Sequence, residues 1–269
     1  MCTTFPVKAK DGSVIVGRTM EFGLDLKSNI IVVLRGRGNV GTGPKGLPGL
    51  RWRSRYGFVG FNAFGSELVA DGLNEAGLAM SERWLPGHSS FPDATEADAE
   101  RALGPTEFAN WSLGNFATVA ELEATLPSVK VWGAKTAELG NVPAPVHFAF
   151  HDPTCHCLVV EFVGGRVDVH DNPLGVLTNA PPFDWHINNV RNYINLTALN
   201  VPKVELSGMR SPPPAKAPVC SDCRATIPRP RASCGPSPLH RRPSSPRTPR
   251  APSTRLGTSS TSSTSSEGP

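Results

Sequence analysis

A cysteine directly behind the initiator methionine is the residue best placed to do chemistry in this 269-residue chain. Met1 is readily trimmed when so small a residue follows it. Trimming would leave Cys2 carrying both a thiol and a free α-amine, two groups that release their protons within about one pH unit of each other. The amine can then act as the general base for the thiol, whose thiolate is the nucleophile. A cysteine in isolation reads more simply as buried packing. The next twenty residues favour chemistry, because an apolar strand returns toward Cys2 and ends in the charged pair Arg18-x-x-Glu21.

Around this pair the chain must supply elements that hold it. Residues 2–7 and 13–18 read as strands joined by the turn signal Asp11-Gly12, a hairpin with Cys2 and Arg18 at one end. Ile30–Leu34 reads as a buried strand and the glycine-rich residues 36–50 as a loop, without the spacing of a phosphate-binding loop. Tyr56–Phe64, Leu68–Asp71 and Leu78–Ser81 read as a meander turning at Gly72 and at Glu75-Ala76-Gly77. Residues 92–103 form an acidic surface segment, and Pro105–Leu126 has helical spacing. Val146–Phe150, Leu158–Val163 and Arg166–His170 are further strands, and Phe183–Leu196 reads as a helix or a loop and helix. Asp25, Asp71 and Asp152 look like turn residues, and Asn74 and Glu75 shape a turn outside the site. His147 and His151 stand four apart, but on a strand and without the glutamate of a His-Glu-x-x-His helix.

Four motifs in order resemble one family. Met1-Cys2-Thr3, Gly17-Arg18-Thr19-Met20-Glu21-Phe22-Gly23, Asp71–Leu78 and Leu177-Thr178-Asn179-Ala180-Pro181 are similar to the choloylglycine hydrolases and penicillin V acylases. These are N-terminal-nucleophile hydrolases that cut linear amides. The resemblance covers roughly residues 2–208 and implies an α+β fold, a four-layer αββα sandwich of antiparallel sheets, truncated in its C-terminal part. It assigns Cys2 as nucleophile, Arg18 as the charge beside the thiolate, and Glu21, where aspartate is frequent, as the anchor of the α-amine. Asn179 corresponds to an oxyanion-hole asparagine. Trp84 falls where relatives carry asparagine or tyrosine; its backbone N–H would complete the oxyanion hole, and its indole would favour an apolar or aromatic acyl group. The implied partner is a small-molecule amide: a conjugated bile salt, penicillin V or an N-acyl amide such as an N-acyl homoserine lactone. No cofactor, metal, nucleic acid or membrane is expected, and the resemblance implies a homotetramer.

Composition sets the remaining expectations. No apolar run of membrane-spanning length and no signal segment is present, which together with six unpatterned cysteines suggests a cytoplasmic setting. Residues 209–269 hold ten Lys/Arg against two Asp/Glu, a balance of +8, whereas residues 1–208 hold 17 against 21, a balance of −4. The tail also holds 13 of the 27 prolines and no Phe, Trp or Tyr, so it reads as a disordered segment beside a hydrolase domain over residues 1–208. Cys220-x-x-Cys223 lacks a second pair and is weak evidence for zinc. Codons for a family run Leu-Gly-Leu-Pro-Gly-Asp-Tyr-Thr-Pro-Pro-x-Arg-Phe-Val-Arg, read one base late, can yield Ser221–Cys234. We therefore expect a frameshift near residues 209–214, which would remove the family's last active-site arginine. Two alternatives follow: an inactive frameshifted relative, or a binding protein whose basic tail contacts nucleic acid.

Overall fold

The computed structural model describes residues 2–193 and, as backbone, the short strands Glu205–Leu206 and Met209–Arg210. The domain boundary near 208, the Cys220/Cys223 pair and the basic tail lie outside the described residues. Among the described residues, no helix is long and apolar enough to cross a membrane.

Strands β1 (Thr3–Lys8) and β2 (Val14–Thr19) form the expected hairpin. Its turn is fixed locally: Asp11 Oδ1 accepts from the Ser13 amide at 2.9 Å and from the Ser13 hydroxyl at 2.7 Å, and Gly12 takes φ +91°. The next strands are β3 (Ile30–Val33), β4 (Gly38–Thr42), β5 (Pro48–Arg53), β6 (Phe58–Asn62), β7 (Val69–Asn74) and β8 (Ala79–Trp84). Later come β9 (Val146–His151), β10 (Cys157–Val163), β11 (Arg166–Asp171) and β12 (Leu177–Thr178). Four two-residue bridging strands between residues 102 and 143 are left unnumbered.

Two antiparallel sheets organise the described residues. The larger has seven strands in the order β11-β10-β9-β8-β7-β6-β3, and the smaller has three in the order β12-β1-β2. Helices α1 (Pro105–Asn115) and α2 (Val119–Thr125) cover one face of the larger sheet. There Phe108 meets Phe148, Phe150 and Phe162 edge-to-face, with ring centroids 5.1–6.1 Å apart. Gly72 lets the helix approach, since a Cβ at this position would lie 2.5 Å from Leu113 Cδ1. The smaller sheet lies on the opposite face, where Leu177 and Phe183 pack on Ala149 and Val159.

The structure corrects several sequence expectations. Residues 36–50 are not a loop: β4 and β5 pair as a ribbon across a tight turn at Pro44–Gly46. Their glycines serve close packing, because a Cβ on Gly41 or Gly49 would meet the Ala102 carbonyl at 2.7 or 2.5 Å. Gly72 is inside β7 rather than at a turn, and the reversal comes only at Asn74–Leu78, where Asn74 Oδ1 accepts from the amides of Ala76 and Leu78. Pro105–Leu126 breaks into two helices, the second capped by the Thr118 hydroxyl. The acidic stretch carries a short helix, Glu96–Arg101, but ends in Ala102 and Leu103, both buried. Helix α3 (Phe183–Val190) is followed by a single tight turn, Arg191–Tyr193.

Candidate active site

The hairpin and the end of β12 place Cys2 between strands that fix its backbone. Thr3 pairs with Thr19 on one side and with Thr178 on the other, and the Thr178 hydroxyl donates to the Cys2 carbonyl at 2.8 Å. The Cys2 side chain is 4% exposed and its thiol donates to the Glu21 carbonyl at 3.4 Å. Cys2, Arg18 and Trp84 line one pocket, whose walls are mostly apolar: Met20, Phe22, Phe64, Leu68 and Leu139. Phe22 stands edge-on to the Trp84 indole, with centroids 5.2 Å apart.

Arg18 is held firmly in this pocket. Its Nη2 donates to the Glu82 carbonyl at 3.3 Å, and its Nη1 is ion-paired with Asp71. Burial pushes the Arg18 guanidinium below its ordinary value, while Cys2 and Glu82 favour its charged form. Asp71, through its ion pair with Arg18, is a candidate site residue that sequence reading missed. It sits in mid-strand, facing β2, and not in a turn. Asp71 also stands 3.9 Å from Arg83, whose side chain is wholly buried and whose Nη1 donates to the Glu82 carbonyl at 2.5 Å. Burial pushes Arg83 down to about 9. Two guanidiniums thus share one aspartate beneath the nucleophile.

The carboxyl of Glu21 is held below the usual carboxylate range, first by a hydrogen bond from the chain's terminal amine and then by that amine's charge. In the untrimmed chain this amine belongs to Met1. Asn179 and Trp84 are also brought together, but onto each other: the Trp84 amide donates to Asn179 Oδ1 at 3.1 Å. The N–H expected to face an oxyanion is thereby occupied, leaving Asn179 Nδ2 as the donor that can turn to a substrate.

A second buried network fixes the Thr178–Ala180 segment. His147 Nε2 lies 3.0 Å from the Thr178 carbonyl and Nδ1 lies 2.5 Å from Glu161 Oε1. Glu161 also accepts from the Phe183 amide at 3.0 and 3.1 Å. Because the carbonyl is an acceptor, Nε2 carries a proton, and another must lie between Nδ1 and Glu161. His186 Nε2 lies 2.9 Å from the Asn179 carbonyl, and the Ala180 amide donates to the Trp84 carbonyl at 2.8 Å. His147 thus braces the Thr178 end of the candidate site, with both ring nitrogens partnered. Its place four residues from His151 carried no signal of this role, because its partners lie 14 and 31 residues away.

The family model of the linear amide C–N hydrolases, choloylglycine hydrolase family, matches residues 2–216. The chain belongs to that family. A bile salt hydrolase/transferase of Clostridium perfringens is 29% identical over 77% of this chain and 61% of its own length. A penicillin V acylase of Pectobacterium atrosepticum is 30% identical over 64% of this chain and 47% of its own. Among solved structures, a mutant conjugated bile acid hydrolase from C. perfringens superposes with a TM-score of 0.65 at 28% identity, covering 78% of this chain and 63% of that one. Penicillin V acylase from Agrobacterium tumefaciens gives 0.62 at 28% identity, covering 77% and 62%. These neighbours are N-terminal-nucleophile hydrolases, and the fold is theirs. The chain spans about three fifths of the length of most of these relatives.

Proposed function

We propose that the chain hydrolyses linear amide C–N bonds through Cys2, made N-terminal by loss of Met1. The observation that carries this reading is the convergence of Cys2, the buried Arg18 and Trp84, whose amide is bonded to Asn179, on one mostly apolar pocket. The α-amine takes the thiol proton and Sγ attacks the amide carbonyl. The resulting oxyanion is met by Asn179 Nδ2 and, once the Asn179 amide turns away, by the Trp84 amide. One such donor is worth roughly 10²–10³ in rate. The α-amine returns its proton to the leaving nitrogen, the C–N bond breaks, and a thioester remains on Cys2. Water, deprotonated by the same amine, then releases the carboxylic acid. Arg18 favours the thiolate by its charge, and Glu21 holds the amine.

The apolar walls and the Trp84–Phe22 corner favour an apolar or aromatic acyl group. The substrates named for relatives, conjugated bile acids and penicillin V, fit that chemistry, as do N-acyl amides. A homotetramer is a proposal by resemblance, and a cytoplasmic setting a proposal from composition. The test is amine release from a panel of these amides by the full chain and by Cys2→Ala. Release by the full chain alone supports the reading, and equal release by both removes it.

A further inference from the structure

Ser66, Glu82, Arg83, Thr106, Thr136 and Glu138 line the pocket without a part in the reaction above, and among these Glu82 carries a buried, unpartnered carboxyl oxygen. Glu82 lies on β8 opposite Phe148, on the helix-covered face, and lines the same pocket as Cys2 and Trp84. Its Oε1 is shut off from solvent and has no hydrogen-bond partner among the described residues. A buried oxygen in that condition costs free energy unless something arrives to satisfy it. Val69, Leu68 and Phe64, which line the same pocket, supply no polar atom from their side chains, and none of the pocket's hydroxyls is bonded to Oε1.

We propose that Glu82 is the polar recognition point of the acyl pocket: its carboxyl donates a hydrogen bond to an acceptor oxygen, keto or ether, carried on an otherwise apolar acyl group. This deepens the amidase reading by naming a substrate class, and it rests on that reading's assignment of the pocket to the acyl group. The charges around Glu82 select among ligand types. Arg18 and Arg83 both act on it, so a cationic group entering here would meet two guanidiniums. Asp71 is ion-paired with Arg18 and 3.9 Å from Arg83, so part of the positive charge an anionic group would need is already offset. A neutral acceptor oxygen meets neither obstacle. Burial pushes the Glu82 carboxyl up to about 8, against the pull of Arg18 and Arg83, so at neutral pH it holds the proton that an acceptor needs.

The test is binding to the full chain carrying Cys2→Ala, which cannot turn over a ligand by the proposed route. The probes are two medium-chain N-acyl amides of one amine, identical except for a keto oxygen on the acyl chain. They are measured by calorimetry and by tryptophan fluorescence. The keto amide is expected to bind about tenfold more tightly, the scale of one buried hydrogen bond. Glu82→Leu should erase that preference and Glu82→Gln, which keeps a donor, should retain it. The preference should also fall as pH rises through about 8 in the Glu82 chain and stay level in Glu82→Gln, which decides the matter if Glu82→Leu does not fold. A preference that survives Glu82→Leu or ignores pH, or equal binding of the two probes, overturns the proposal. Because binding is read without turnover, a preference for the keto amide alongside a catalytically silent Cys2 chain would sink the amidase reading and leave this one standing.

Discussion

The two flanks of the seven-stranded sheet differ sharply on the face opposite α1 and α2. Over β8, β9 and β10 that face is covered: Ala149 and Val159 are buried beneath Leu177 and Phe183, and Arg83, His147 and His151 are buried with them. Over β3, β6 and β7 the same face shows Ile30, Val32, Val59, Phe61 and Leu73, each between 42 and 69% exposed. Cross-strand register puts these five in one stripe, since Ile30 faces Phe61, and Val59 faces both Val32 and Leu73. The candidate site is built where both faces of the sheet are closed. The bare stripe is an apolar surface of the kind that soluble monomers rarely expose. It belongs to a chain that spans about three fifths of the length of most of the relatives compared.

Substitutions at the closed flank should cost most. Phe108→Ala removes a ring that meets four others and should lower unfolding free energy by about 3–5 kcal/mol in a denaturant titration. Asp71→Ala would leave Arg18 and Arg83 buried without their shared carboxylate, a loss on the order of 3–5 kcal/mol by the same measurement. Gly72→Ala forces a methyl against Leu113 and should cost about 1–3 kcal/mol. On the bare flank, Phe61→Ser should change stability by no more than about 0.5 kcal/mol and should reduce self-association in light scattering. A cost for Phe61→Ser comparable to that of Phe108→Ala would show the stripe to be covered, and the comparison would fail.

Acid sharpens the contrast further. Burial pushes His151 below its ordinary value, so the unfolded chain binds a proton at this site more readily than the folded one. Its contribution is complete above the unfolded value of about 6.5 and is lost as pH falls toward the folded value. The proton taken up on unfolding adds about 1.4 kcal/mol of loss per pH unit. Thermal melts from pH 7 to 5 should therefore show falling stability, with a shallower slope in His151→Gln.

Sequence patterns exposed the hairpin, most of the meander and the family motifs because these are local: Asp11-Gly12, the Arg18-x-x-Glu21 spacing and Thr178-Asn179-Ala180-Pro181 need no distant partner to be read. Asp71 was hidden by its own neighbour, since Asp-Gly suggests a turn while the side chain answers to Arg18 on another sheet. The glycines of residues 36–50 suggested a loop because the backbone they approach, at Ala102, lies more than fifty residues away. His147 and Glu161 looked like ordinary strand residues until Thr178 and Phe183 were brought against them. Glu82 gave no motif at all, and its interest comes from a pocket wall assembled from distant strands and loops.

The most direct measurement is peptide-level mass spectrometry of the full chain quenched seconds after mixing with penicillin V. A nucleophile that is also the chain's first residue predicts a polypeptide lacking Met1, with the phenoxyacetyl group on the peptide that begins at Cys2. Retention of Met1, or an acyl mass on any other cysteine, would contradict it.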